Sequence, residues 1–128
     1  MSYYAKVLDG KALQVIVADA DAMKTFVDET PGTWIEYSRR TSGGILYNAD
    51  GTKASDQSGA LRKNSASIGG NYDVWDDAFY NVQPFPSWTL NKTTYLWEPP
   101  ITDPGGDTYW DEDAYQADNT KGWTAFPR

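Results

Sequence analysis

Apolar and polar residues alternate through YYAKVLDGKALQVIVAD, residues 3–19. A spacing of two predicts two strands, and Asp9-Gly10 between them supplies the positive φ angles of a two-residue hairpin turn. Leu13, Val15 and Val17 fall on one face of the second strand; Gln14, Ile16 and Ala18 fall on the other. The period then lengthens. In DADAMKTFVDET, Met23, Phe26 and Val27 recur at helical spacing behind Asp19 or Asp21 as N-cap, which predicts one short helix ended by Pro31-Gly32. Residues 34–37 and 43–47 read as a third and a fourth strand.

Between Asn48 and Asn71 the pattern dissolves into Gly, Ser, Asn, Asp and Lys, with Leu61 and Ile68 as apolar anchors, and the expectation is long loops. Beyond it a motif recurs. In Tyr72-Asp73 to Phe79, Leu90-Asn91 to Trp97 and Trp110-Asp111 to Ala117, an apolar residue and an Asx are followed six residues later by an apolar one. Asp and Asn start turns by bonding their own backbone, so each copy predicts a hairpin with Asp73, Asn91 or Asp111 at its turn. Prolines 84, 86, 99, 100 and 104 separate the copies as extended linkers. The predicted fold class is mainly β, of the α+β kind. It comprises a small N-terminal sheet with one short helix over residues 1–47, loops over 48–71, and aromatic-rich hairpins joined by proline linkers over 72–128, in one folding unit.

Composition sharpens this picture. Leu, Ile, Val and Phe make up only 21 of 128 residues and the net charge is −7, which by itself leans toward disorder. Six Trp and nine Tyr reverse that, because each ring buries a large area, so the core is expected to be built from rings. The absence of cysteine removes disulfides and thiolate sites; the absence of histidine removes Ser-His-Asp and Cys-His catalysis. No run of eighteen apolar residues and no signal-peptide pattern is present, so neither a membrane nor an export signal is expected. Eleven scattered basic residues at a pI near 4.4 give no footprint for nucleic acid.

Carboxylates carry the remaining chemistry. Asp76, Asp77, Asp107, Asp111, Glu112 and Asp113 offer material for a glycosidase pair, but their spacing singles out no two of them, and acidic residues beside strands are more often turn formers. NADGTKASD at 48–56 has the flavour of a calcium loop without its full ligand spacing, and Asp113 with Asp118 is a looser cluster still. Gly43-Gly44 and Gly69-Gly70 lack the residues that follow glycine in phosphate loops. No cofactor or metal is expected, and no enzyme activity. Exposed rings among Asn and Asp would suit a sugar platform at Trp88, Tyr95, Trp97 and Trp110, although cross-strand pairing or a protein interface is the commoner use of such rings.

Four stretches taken together, YYAKVLDGKALQVIVAD, TPGTWIEYSRRTSGGILY, ALRKNSASIGGNYDVWDDAF and PFPSWTLNKTTYLWEPP, resemble a family of small proteins encoded by tailed bacteriophages, notably those of marine cyanobacteria. The resemblance extends to Pro100 and is most specific in SW-x-LN-x-x-T-x-x-W-E-x-P. It departs where relatives carry a cysteine before the second tryptophan and this chain has Tyr95 and Leu96. It implies a virion-associated structural protein, made in the bacterial host cytoplasm and incorporated into the particle, without enzyme activity. The expected partners are capsid or other virion proteins or further copies of the chain, and the expected role is decoration or cementing of the capsid exterior. Trp88, Trp97, Trp110, Trp123 and Tyr95 are the expected interface residues. The alternative is a tail or fibre module that binds host polysaccharide through exposed Trp and Tyr.

Overall fold

The computed structural model describes residues 2–127 and is mainly β. The elements in order are β1 (Ser2–Leu8), β2 (Lys11–Ala18), α1 (Ala20–Met23), β3 (Thr33–Tyr37), β4 (Thr41–Ser42), β5 (Ile45–Leu46), β6 (Asn71–Asp73), β7 (Ala78–Tyr80), β8 (Thr89–Asn91), β9 (Leu96–Glu98), β10 (Thr108–Trp110), α2 (Glu112–Ala117) and β11 (Trp123–Ala125). They fall into two compact units. The first runs to Val82 and adds Lys92–Leu96; the second takes Gln83–Asn91 and the chain from Trp97 on. The hairpin of residues 71–80, placed by its composition with the C-terminal rings, therefore belongs to the first unit.

The first unit holds a five-stranded antiparallel sheet in the order β3-β1-β2-β6-β7. Asp9 (φ 51°) and Gly10 (φ 77°) make the β1–β2 turn, and this turn also accepts the sheet's other half, because Tyr72 N–H donates to Gly10 C=O at 2.9 Å. Pairing of β2 with β6 is confined to Lys11 and Asn71. Val15 and Val17 lie opposite Ala5 and Tyr3 as their period predicts, but Leu13 does not follow them. The register jumps from Lys6–Gln14 to Val7–Ala12, which leaves Leu13 as a bulge residue, 47% exposed, while Ala12 takes the core position. Ala5, Val7, Ala12, Tyr37 and Phe79 form that core, with Tyr3, Val15, Ile35 and Tyr72 packed against it. Phe79 is its hub, with Tyr72 at 4.9 Å and Tyr37 at 6.0 Å between ring centres.

The opposite face of β1 carries Lys6, buried, beside Trp34 on β3. Its ammonium reaches Asp28 at 2.7 Å and the Thr30 hydroxyl, and lies 5.9 Å from the Trp34 ring centre. The residues expected to form the second turn of a helix instead form this lid. Helix α1 is a single turn capped by Asp19, and Phe26 lies outside it, edge-on to Trp34 at 5.9 Å. A buried lysine needs a counter-ion, and that need outweighs the helical spacing of Phe26 and Val27. The fourth predicted strand is likewise corrected: Gly43 and Gly44, both at positive φ, turn the chain between β4 and β5.

Asn64 binds the loop region to the strands. This buried amide accepts from Gly43 N–H at 2.9 Å and donates to the carbonyls of Phe79 (2.9 Å), Tyr95 (3.0 Å) and Thr94 (3.3 Å). One side chain thus satisfies the β4–β5 turn, β7 and residues 94–95.

In the second unit β10 pairs with β11 in antiparallel register, Trp110 opposite Trp123. The third hairpin of the expected repeat does not form. Asp111, assigned to a turn, is the N-cap of α2, its carboxylate accepting from Ala114 N–H at 3.1 Å, and Glu112 and Asp113 occupy the first turn. An Asx followed by three acidic or helix-favouring residues caps a helix as readily as it starts a turn. The other two copies are hairpins, β6–β7 and β8–β9. At the end of β8, Asn91 reaches Glu98 at 3.2 Å.

Asn64→Ala is expected to destabilise the protein by about 3 kcal/mol, since it strands a buried N–H and several carbonyls at once; urea denaturation measures this. Asp28 is held below its ordinary value of 3.8, first by the Lys6 ammonium and then by Thr30. A depressed folded-state value contributes stability above the unfolded value and loses it as pH falls through the folded one. Stability should therefore drop below about pH 4, and Asp28→Asn, weaker near neutrality, should show a shallower decline in the same titration.

Candidate interaction site

The β6–β7 turn projects Trp75 into solvent with 93% of its surface exposed, and Val74 beside it with 68%. Every tryptophan carries a strong drive toward burial, about 5 kcal/mol for an area near 200 Å². A loop that shows one openly would be expected to collapse or move. This one is pinned. Asp73 Oδ1 accepts the N–H groups of Trp75 (3.0 Å) and Asp76 (3.1 Å), closing the turn beneath the indole, and Asp77 takes the left-handed conformation (φ 52°) that returns the chain to β7.

The carboxylates are held in turn from below. Tyr95 is 1% exposed, packs on Tyr80 at 5.5 Å, and shares its hydroxyl proton between Asp73 Oδ2 (3.0 Å) and Asp76 Oδ2. Burial, followed by the two carboxylates, pushes its phenol well above the ordinary 10, so it remains a donor throughout the physiological range. Lys92 lies 3.7 Å from Asp73 and 5.3 Å from the Tyr95 ring centre. Asp73 is lowered, chiefly by the Asp76 N–H and further by Tyr95, the Trp75 N–H and Lys92. On the other side Asp77 accepts from Arg62 Nε at 2.9 Å and from the Tyr72 hydroxyl, while Arg62 also donates to the Glu36 carbonyl at 2.9 Å. Three aspartates thus anchor the two apolar residues between them.

The residues singled out from sequence fall elsewhere. Tyr95 is a buried post rather than a contact surface. Trp110, also buried, is the centre of a ring cluster in the second unit, with Trp123 at 5.3 Å, Tyr115 at 5.5 Å and Trp88 at 6.0 Å. Phe85 stacks on Trp88 at 5.6 Å. Glu112 fixes the cluster, one carboxylate oxygen accepting from Trp110 Nε1 (3.0 Å) and Ser87 Oγ (2.6 Å) and the other from Gln116 (2.6 Å). Those bonds hold its carboxyl below the usual range, Ser87 foremost. Trp123 donates to the Ile101 carbonyl at 2.7 Å. Gly122 is obligatory here, because a Cβ on it would lie 2.5 Å from the Trp110 ring. Trp88, Trp97 and Trp123 are each half-buried. Four of the five expected interface rings therefore pack against other rings, and the fifth, Trp97, is half-buried like Trp88 and Trp123.

Trp75 was legible only through its surroundings. DVWDD places an apolar pair inside a run of turn-forming acids, a pattern that buries poorly; its period gave no such hint. The same chemistry recurs along the chain. Eight aspartates, 19, 28, 50, 56, 73, 103, 111 and 118, accept an N–H two or three residues on. Asp50 of the calcium-like segment closes its turn with Thr52 in this way. Among the described residues no three acidic side chains converge as a metal cluster, and no helix is long and apolar enough to cross a membrane.

Set against known protein families, curated proteins and solved structures, the chain matches none. The site geometry stands on its own.

Tyr95→Phe should leave the fold intact and cost about 2 kcal/mol in urea denaturation, the net worth of a hydrogen bond to a charged acceptor. Its signature should be local: faster amide exchange at Trp75 and Asp76, with the Trp110 cluster unchanged.

Proposed function

We propose that the protein is a non-enzymatic structural component of a tailed-phage particle that decorates or cements the capsid exterior. The observation that carries this reading is Trp75, displayed almost completely on a turn fixed by Asp73, Asp76 and Tyr95. Rigid aromatic anchors set in polar rims are how protein interfaces concentrate their binding energy, because little entropy is lost when they dock. The flanking carboxylates suit a partner whose apolar socket is rimmed by lysine or arginine. The resemblance of the four stretches to phage virion proteins supplies the setting. Four of the six carboxylates that could have served acid–base chemistry, Asp76, Asp77, Asp111 and Glu112, are instead bonded within turns, a cap and the ring cluster, which also fits a binding role.

Purified protein added to shells that lack it should co-sediment at a saturating stoichiometry fixed by the shell lattice. Trp75→Ala should melt like the parent yet bind about thirtyfold more weakly, the loss typical of a central aromatic anchor. Parent protein that ignores the shells would overturn the shell assignment; a Trp75→Ala variant that binds as well as the parent would overturn the anchor.

A further inference from the structure

In the first unit, Arg39 and Arg40 lie between two adjoining hollows of about 550 and 450 Å³. Both are open, and both are lined by Arg39, Arg40, Tyr47, Asn48 and Ala49, so the arginines stand on the ridge of one continuous groove. Its backbone is well tied. Ser65 N–H donates to Thr41 C=O at 2.9 Å, Tyr47 N–H to Arg40 C=O at 2.9 Å, and Asn48 N–H to Thr52 C=O at 2.7 Å.

The charge of this groove runs against that of the chain. With eighteen acidic residues against eleven basic, no Asp or Glu lines the larger hollow, and Glu36 is the one acid lining the smaller. Asp50 lies in the neighbouring turn but is committed to Thr52. Arg39 is spread over Tyr3, 5.9 Å from its ring centre, whereas the exposed Arg40 has no side-chain partner among the described residues. Around the pair lie hydroxyl and amide groups from Ser42, Asn48 and Ser67, and the Tyr47 ring. Thr41 lines the larger hollow, is 2% exposed, and has a hydroxyl with no partner among the described residues, an arrangement proteins seldom leave without cause.

We infer that this groove binds a segment of an acidic polysaccharide, with Arg40 pairing a carboxylate or sulfate and the Ser, Asn and Tyr side chains meeting sugar hydroxyls and a ring face. A guanidinium fork matches a planar carboxylate in two parallel hydrogen bonds. The larger hollow has the volume of a small-molecule site, yet its open form and its continuation past the arginines suit a polymer that enters and leaves. The inference is independent of Trp75 and of the shell reading.

The test is amide chemical-shift titration of isotope-labelled protein with a short oligogalacturonate, its methyl-esterified form and inorganic sulfate. The acidic oligosaccharide should give saturable shifts at Arg40, Ser42, Asn48 and Ser67, and the neutral ester should give none. Arg40→Ala should weaken binding about tenfold, the worth of one charged pair, and Arg40→Lys should recover part of it. Ser42→Trp, a substitution at an exposed position that fills the groove, should abolish binding while melting like the parent. Three results would overturn the inference: no saturable shifts, equal shifts from the ester, or sulfate binding as tightly as the oligosaccharide. An Arg40→Ala variant of unchanged affinity would do the same.

Discussion

The first unit depends on Asn64. A chain with so few aliphatic side chains cannot hold two dozen loop residues by apolar contact, and this amide supplies a substitute: one acceptor and two donors placed where three backbone segments meet. Buried amide networks are costly when incomplete and rigid when complete. Here the network is complete, and it presents Tyr95 beneath the Trp75 turn. The Trp75 turn is thus coupled to the loop region through Asn64 and Tyr95 on one side and through Arg62, which binds Asp77, on the other.

The same economy recurs in both units. Where a larger protein would bury leucine, this one closes turns with aspartate and holds rings by their polar tips, as Glu112 does for Trp110 and Ile101 does for Trp123. The sheet is short and its halves meet at one residue pair, so much of the order is local. This reconciles a composition near the disordered range with a defined fold: the enthalpy of many side-chain-to-backbone bonds replaces part of the apolar burial.

The strands were legible where period and turn chemistry agreed, at Asp9-Gly10 and in the two hairpins with an Asx at the end of the first strand. They were misread where a tertiary demand intervened. Leu13 left its face because the bulge let Ala12 fill a small space. Phe26 and Val27 left the helix because Lys6 needed Asp28. Asp111 capped a helix because the acids after it suit a first turn better than a hairpin. The site was harder to read than the fold, since ring content points to every aromatic alike and only packing separates a post such as Tyr95 from a display such as Trp75. The Arg39–Arg40 groove left no local signal; it exists because a distant loop, residues 64–67, closes one wall.

One consequence concerns change over time. The side chains that fix the β6–β7 turn are Asp73, Asp76, Asp77, Tyr95 and Arg62, and neither Val74 nor Trp75 is among them. The two tip positions therefore bear almost no folding constraint, while the frame beneath them bears all of it. Such a division lets a lineage exchange its two-residue tip without disturbing the scaffold that presents it.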